Sequence, residues 1–220
     1  CKCFYFNYIK IYIKGLMTKN FFGINNVSFA AGGINKVNNV NLSIENKGDI
    51  VCLLGPSGIG KTTILRTIAG LEKINEGKII LKNKILSSNK NHVEPENRNI
   101  ALSFQENCLF PHYNIEKNIY LGSNRKGSKR KKVNPKDIIK FLNLEKILNK
   151  YPHEISAGEA QRSSLARSLI SNPDLLLLDE PLSNVDQSFK EEIQVELKKV
   201  LNNSKDRKST RLNSSHQIIS

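Results

Sequence analysis

The stretch "GPSGIGKTT", Gly55 to Thr63, constrains this chain more than any other. It fits the pattern GxxxxGK[ST], follows the apolar run "DIVCLL" and opens a segment, "KTTILRTIAGL", whose Ile64, Leu65, Ile68 and Leu71 fall at helical spacing. Glycines reach backbone conformations closed to other residues, so consecutive N–H groups can converge on one anion. The helix that follows adds about half a positive charge at its N-terminus. Gly55, Pro56, Ser57, Gly58, Ile59, Gly60, Lys61, Thr62 and Thr63 are therefore read as a phosphate-binding loop. In it Lys61 reaches the β- and γ-phosphates and the Thr62 hydroxyl ligates Mg2+. A pattern match alone has false positives, and the strand before with the helix after is the context that removes them. Such a loop requires an α/β fold.

The rest of the chain is consistent with that requirement. Short β-type runs ("INNVSF", "VNLSI", "DIVCLL", "GKIIL") occupy the first hundred residues, and "RNIALSFQ" reads as a further strand. Residues 106–157 change character, with helical spacing in "NIEKNIYLG" and "PKDIIKFLNLEKILNKY". A helix ("GEAQRSSLARSLIS"), a strand ("LLLLD") and a last helix ("QSFKEEIQVELKKVL") follow. With 39% hydrophobic and 25% charged residues over 220 positions, the composition is that of a globular domain with a full core. The net charge of +14 admits an anionic partner, but Lys, Asn and Ile share A/T-rich codons, and genome composition accounts for much of it. The basic run Arg125–Lys132 has no interleaved aromatic to stack on a base and reads as a solvated face. Cys1, Cys3, Cys52 and Cys108 form no CxxC pair, which points to a reducing compartment. Residues 1–16 are too short and too interrupted by lysine for a membrane helix; they are expected to be a non-native or disordered extension ahead of Met17.

"LLLLDEP", Leu175 to Pro181, is an apolar strand ending in two acids. Asp179 at the strand end can hold Mg2+, and Glu180 is placed to orient or deprotonate an attacking water. Together with the phosphate loop and "ISAGEAQRSSLARSLISNP" (Ile155 to Pro173), it resembles the ATP-binding subunits of ABC transporters, whose signature reads LSGGQ. The resemblance runs from about residue 20 to 201. It implies a P-loop NTPase core of the ABC ATPase type, with an antiparallel β subdomain and an inserted helical subdomain at about 106–157. The whole domain would span 17–205 and be C-terminally truncated. It implies that Ser156 and Gly158 bind the γ-phosphate of an ATP held by the other subunit of a head-to-tail homodimer. It also makes Gln105 of "SFQEN" a group that senses Mg2+ and water, and Asp186 of "SNVD" a link between the two sites. Two departures lie in the signature, where Ala157 stands for glycine and Glu159 for glutamine. The aromatic expected to stack on adenine is also missing, and Phe29 is either its substitute or a core residue.

"RNIALSFQENCLFPHYNIEKNIYLG" and "YPHEISAGEAQR" resemble importer subunits for ferric iron, polyamines, sulfate and maltose, and "DEPLSNVD" leans towards the ferric-iron type. The implied partners are separate transmembrane permease subunits, reached through the loop "CLFPHYNI", and a solute-binding protein. The implied location is the cytoplasmic face of the plasma membrane. The contrasting reading is a soluble ABC ATPase acting in DNA repair or translation; the helical insert is short for that class. His216 lies near the place of the family's switch histidine, but "KDRKSTRLNSS" before it is no buried strand. Residues 206–216, "DRKSTRLNSSH", instead resemble the translation of a short-read sequencing adapter. On that resemblance 206–220 is an adapter-derived tail, and the switch histidine and last core strands are missing. The chain itself is then expected to hydrolyse little ATP.

Overall fold

The computed structural model describes residues 3–6, 9–12, 21–31, 35–49, 51, 53–54, 58–104, 108–124 and 134–179. They fall into two units, divided after Arg98.

The first unit contains strands β1 (Cys3–Phe6), β2 (Ile9–Tyr12), β3 (Phe22–Ala31), β4 (Asn35–Ile44) and β5 (Leu53–Leu54), helix α1 (Lys61–Ala69), and strands β6 (Glu76–Leu81) and β7 (Lys84–Ser88). One sheet runs β1-β2-β5 and a second, antiparallel throughout, runs β4-β3-β6-β7. Residues 1–16, expected as an unstructured extension, thus carry two short strands, the second paired antiparallel with β5. In β3 the buried side chains are Phe22 and Ile24, then Val27 and Phe29, so the alternation changes phase once. The change falls at Asn25–Asn26, where the register against both neighbours shifts and Asn26 adopts a φ of 49°. A bulge inserts one residue and keeps the apolar face on the core. Gly77 of β6 lies against this bulge with a φ of 88°, and a Cβ there would strike the Asn25 and Asn26 carbonyls. Strand β7 was not expected from its sequence, which is mostly polar. It is folded back by Lys82 and Asn83, both at positive φ (49° and 65°), the conformation of a two-residue hairpin turn.

One buried cation joins helix to sheet in this unit. The Arg98 side chain is 1% exposed. Its Nη1 donates to the Ile68 carbonyl at 2.9 Å and the Thr67 carbonyl at 3.3 Å, in the last turn of α1. Its Nη2 donates to Ser87 Oγ at 2.6 Å and the Leu86 carbonyl at 3.3 Å, and its Nε to the Val93 carbonyl at 2.7 Å. The charge offsets the negative end of the helix dipole. His92 completes the cluster. Its Nε2 lies 3.1 Å from the Gly70 carbonyl, which can only accept, and its Nδ1 lies 3.4 Å from Arg98 Nη2, which can only donate. The neutral imidazole protonated on Nε2 satisfies both. Burial lowers the Arg98 pKa to about 10, opposed by the Glu94 carboxylate, so the group stays charged at neutral pH.

The second unit holds strand β8 (Ile100–Ser103), helices α2 (Ile115–Tyr120), α3 (Pro135–Phe141) and α4 (Ala157–Ile170), and strand β9 (Leu175–Leu178). β8 and β9 pair in parallel, from Ile100 opposite Leu175 to Ser103 opposite Leu178. A parallel pair needs a long crossover, and all three helices lie within it. Ile115, Ile119, Ile138, Leu142, Leu144 and Leu165 form the centre of the core. The helical spacing over 135–151 does not give one continuous helix, since α3 ends at Phe141. Asn143 takes a left-handed φ of 53°, its N–H donates to the Lys140 carbonyl and the Leu144 N–H donates to the Ile139 carbonyl. That pair of bonds is a Schellman ending, with asparagine in place of the usual glycine. Among the described residues no helix is long and apolar enough to cross a membrane.

Replacing Arg98 with alanine removes the side-chain donor from the Thr67, Ile68, Leu86 and Val93 carbonyls and from the Ser87 hydroxyl. Arg98→Ala is expected to cost about 3–4 kcal/mol of stability, and Arg98→Lys less, as a lower urea midpoint at unchanged slope.

Candidate functional site

The phosphate-binding loop is described from Gly58 onward; Gly55, Pro56 and Ser57 lie outside the described residues. Gly58 and Gly60 have φ of 79° and 100°. A Cβ on Gly58 would meet nothing within 4 Å, so conformation rather than space demands glycine there. Gly60 is the N-cap of α1, and its carbonyl accepts the Ile64 N–H at 2.9 Å. Having no side chain, it offers none to the first N–H groups of the helix, and the first turn holds no acid. Lys61 and Thr62 occupy the first two helical positions, with Thr62 exposed and Lys61, Ile59 and Thr63 half-buried. An exposed hydroxyl, an ammonium and uncapped N–H groups at one helix N-terminus make a site for a phosphate chain with its divalent cation.

The second unit carries two further sequence-derived elements. Asp179 follows β9 and is 9% exposed. Its N–H donates to the Ser103 carbonyl at 3.0 Å, extending the parallel pairing by one step and fixing the acid at the carboxyl end of the two strands. Ligands of open parallel sheets collect at that edge. Among the described residues no group of three His, Cys, Asp or Glu side chains could hold a metal. Gln105, Glu180, Asp186 and His216 lie outside the described residues.

Ser156 is the N-cap of α4, and Gly158 lies in its first turn. The Ser156 hydroxyl accepts from the Glu159 N–H at 3.2 Å and donates to Glu159 Oε2 at 2.9 Å. The same carboxylate oxygen accepts the Ser156 N–H at 2.8 Å. This is a complete capping box, and it gives Glu159 a local role that its place in the signature did not reveal. The Ser156 backbone N–H is the main reason the Glu159 carboxyl is held below its usual range. Partial desolvation opposes it, and the Ser156 hydroxyl, Arg162 and Lys150 add to it.

Two residues without any sequence signal shape the loop after β8. Asn118 is fully buried; its Oδ1 accepts the Phe110 N–H at 2.8 Å. Its Nδ2 lies 3.0–3.1 Å from the carbonyls of Phe110, Tyr113 and Asn114. Arg167 donates from Nη2 to the Cys108 carbonyl at 3.0 Å, and its guanidinium lies 5.9 Å from the centre of the Phe110 ring. Burial lowers the Arg167 pKa. The loop is therefore pinned from within while Phe110 stays 45% exposed, clustered with His112 and Tyr113. Phe29, the alternative platform for a base, is 2% exposed in β3 and is a core residue.

Residues 37–183 match the family model described as ABC transporter. The chain is 39% identical over 184 residues to the Fe(3+) ions import ATP-binding protein of Escherichia coli O157:H7, covering 83% of this chain and 51% of that protein. It is 37% identical over 177 residues to the spermidine/putrescine import ATP-binding protein of Salmonella typhimurium, with coverage of 80% and 46%. Against the sn-glycerol-3-phosphate import ATP-binding protein of Rhizobium johnstonii it is 36% identical over 171 residues, with coverage of 77% and 48%. The chain spans about half the length of these relatives. Among solved structures, a dimeric bacterial ABC transporter cassette superposes with a TM-score of 0.68 at 27% identity, covering 83% of this chain and 84% of that one. A dimeric cassette in a post-hydrolysis state bound to ADP and Pi gives 0.66 at 26% identity over the same shares.

Removing the Asn118 amide leaves the Phe110 N–H and the Tyr113 carbonyl to find other partners, and leaves the Phe110 and Asn114 carbonyls with one backbone donor each. Asn118→Ala is expected to lose about 2–3 kcal/mol and to speed amide exchange in residues 108–114 more than in α4, read by hydrogen–deuterium exchange.

Proposed function

The chain belongs to the ABC transporter family, and from that premise we propose that it is the ATP-binding and ATP-hydrolysing subunit of a solute importer. The observation that carries this reading is the pair of helix starts: α1 opens without a side-chain cap at Gly60 beside Lys61, and α4 opens at Ser156 and Gly158. Lys61 and the N–H groups of α1 bind the phosphates of ATP. Ser156 and the Gly158 N–H of a second copy close over the γ-phosphate, giving a head-to-tail homodimer with two nucleotides between its subunits. Mg2+, when bound, neutralises phosphate charge; Thr62, Asp179 and Gln105 would hold it. Glu180 takes a proton from water as the oxygen attacks the γ-phosphorus and the bond to ADP breaks, the role of a positioned general base. Asp186 links the two sites.

Closing and reopening of the dimer moves separate permease subunits through Gln105 and the Cys108–Tyr113 loop. The rigid, aromatic tip of that loop supports this role, since an exposed apolar cluster favours a partner surface. The ATP-binding domain is taken as 17–205, its helical subdomain as about 106–157, and its place as the cytoplasmic face of the plasma membrane. A solute-binding protein delivers the cargo. Ferric iron is the solute we favour, on "DEPLSNVD" and on 39% identity to a relative named for Fe(3+) import.

Lys61→Ala is expected to weaken ATP binding by about 10- to 100-fold, the loss of a charge-assisted contact, in a fluorescent-nucleotide titration. Glu180→Gln is expected to lower turnover by about two to four orders of magnitude while retaining ATP. With ATP and Mg2+ it should then run as a dimer in size-exclusion chromatography with light scattering. A Glu180→Gln protein that binds ATP yet stays monomeric contradicts the sandwich.

A further inference from the structure

The hydroxyl that the proposed reaction needs is already engaged. Ser156 Oγ has one proton, and that proton is donated to Glu159 Oε2 at 2.9 Å, while one oxygen lone pair accepts the Glu159 N–H at 3.2 Å. A phosphate oxygen arriving there meets a hydroxyl with only an acceptor left to offer, and two acceptors do not bond. It also meets a carboxylate held at the helix N-terminus by the Ser156 N–H at 2.8 Å. The carboxylate satisfies the same N-terminal positive potential that would attract a phosphate. Glu159 is thus an internal anion occupying part of the ground a γ-phosphate would take.

We propose that Glu159 is a positioning residue that restrains nucleotide-driven closure. It holds the Ser156 proton, and the second subunit's ATP is received only when the carboxylate gives that proton up. The proton does not leave the serine in this exchange. The O–H turns from Glu159 Oε2 to a phosphate oxygen, one hydrogen bond breaks and one forms, and the carboxylate swings off or remains bonded to the Ser156 N–H alone. The inference rests on the ATP-sandwich reading above. The helix does not depend on the carboxylate, because Ser156 Oγ still accepts the Glu159 N–H when residue 159 carries another side chain.

The consequence is directional. A hydrogen bond to a charged acceptor is about twice as strong as one to a neutral acceptor. Glu159→Gln keeps the length and an acceptor oxygen but removes the charge, so the ATP concentration for half-maximal dimerisation should fall about fivefold. Glu159→Ala removes the acceptor entirely and should move it in the same direction. The experiment is ATP-driven dimerisation of the 220-residue chain in the Glu180→Gln background, followed by sedimentation velocity, with circular dichroism confirming each variant's helix content. Four forms are compared: Glu159 intact, Glu159→Gln, Ser156→Ala, and the double substitution. The proposal expects the gain from Glu159→Gln to vanish when Ser156 is alanine, because no hydroxyl is then left to release. A gain of equal size in the Ser156→Ala background would assign the effect to general charge and overturn the proposal. So would a Glu159→Gln protein that dimerises at the same or higher ATP concentration. The failure of the underlying reading looks different. Nucleotide binding that depends on Lys61, with no ATP-dependent dimer in any form, overturns the sandwich and the restraint together.

Discussion

An α-helix begins with N–H groups that have no carbonyl one turn behind them, and this chain treats that constraint in two opposite ways. Helix α1 starts at a glycine with a φ of 100°, no side-chain cap and no acid in its first turn. The cap residue has no side chain to offer those donors, and Lys61 brings an ammonium to the same turn. Helix α4 starts with a serine and a glutamate that satisfy each other's backbone completely. The first start carries no side-chain cap, and the second carries its own anion. On the proposed reading both starts meet phosphates, and the difference between them bears on how each side of a nucleotide is received.

Both helix starts are only as well placed as the bodies that hold them, and each body is fixed by a buried polar side chain. In the first unit the Arg98 guanidinium binds the last-turn carbonyls of α1 and the backbone beyond β6. The positive N-terminus of α1 is therefore backed by a full charge at its negative end. In the second unit Asn118 closes the loop after β8, and Arg162 donates from Nε to the Leu142 carbonyl at 3.1 Å, binding α4 to the end of α3. Buried polar groups are costly unless every donor finds an acceptor, which is why these clusters tolerate few alternative arrangements.

How much of this could be read in advance follows from the range of each signal. The phosphate loop, the buried strand "LLLL" with its terminal aspartate, and the serine opening α4 are local patterns, and the structure has Gly58–Thr63, Asp179 and Ser156 at the element ends those patterns imply. A β-type run within β3 was legible too, but not the bulge at Asn25–Asn26, which needs the neighbouring strands to be seen. The break at Asn143 was hidden for a related reason: apolar residues continue at helical spacing through Leu144 and Ile147, and only the left-handed backbone of one asparagine divides them. Arg98 and Asn118 gave no signal because each bonds almost wholly to backbone, which every sequence possesses. Glu159 showed in the sequence only as a departure from the signature, and its bonding to Ser156, three residues away, needed the structure.

Helix α4 shows how the local and the global requirements meet. It is a buried helix with little apolar surface: Ala160, Ser163, Ser164, Ala166 and Ser168 are all buried. Small side chains let neighbouring elements approach closely, and their hydroxyls would be costly there if unpaired. Two of them are paired, since Ser163 donates to the Glu159 carbonyl at 2.8 Å and Ser168 to the Ser164 carbonyl at 3.1 Å. Such bonding back to the preceding turn costs the helix a little straightness but removes the penalty for burial. A helix held on so many sides by close packing has little freedom to shift its first turn. On the proposed reading, the opening of α4 to a phosphate depends on side-chain rotation at Ser156 and Glu159.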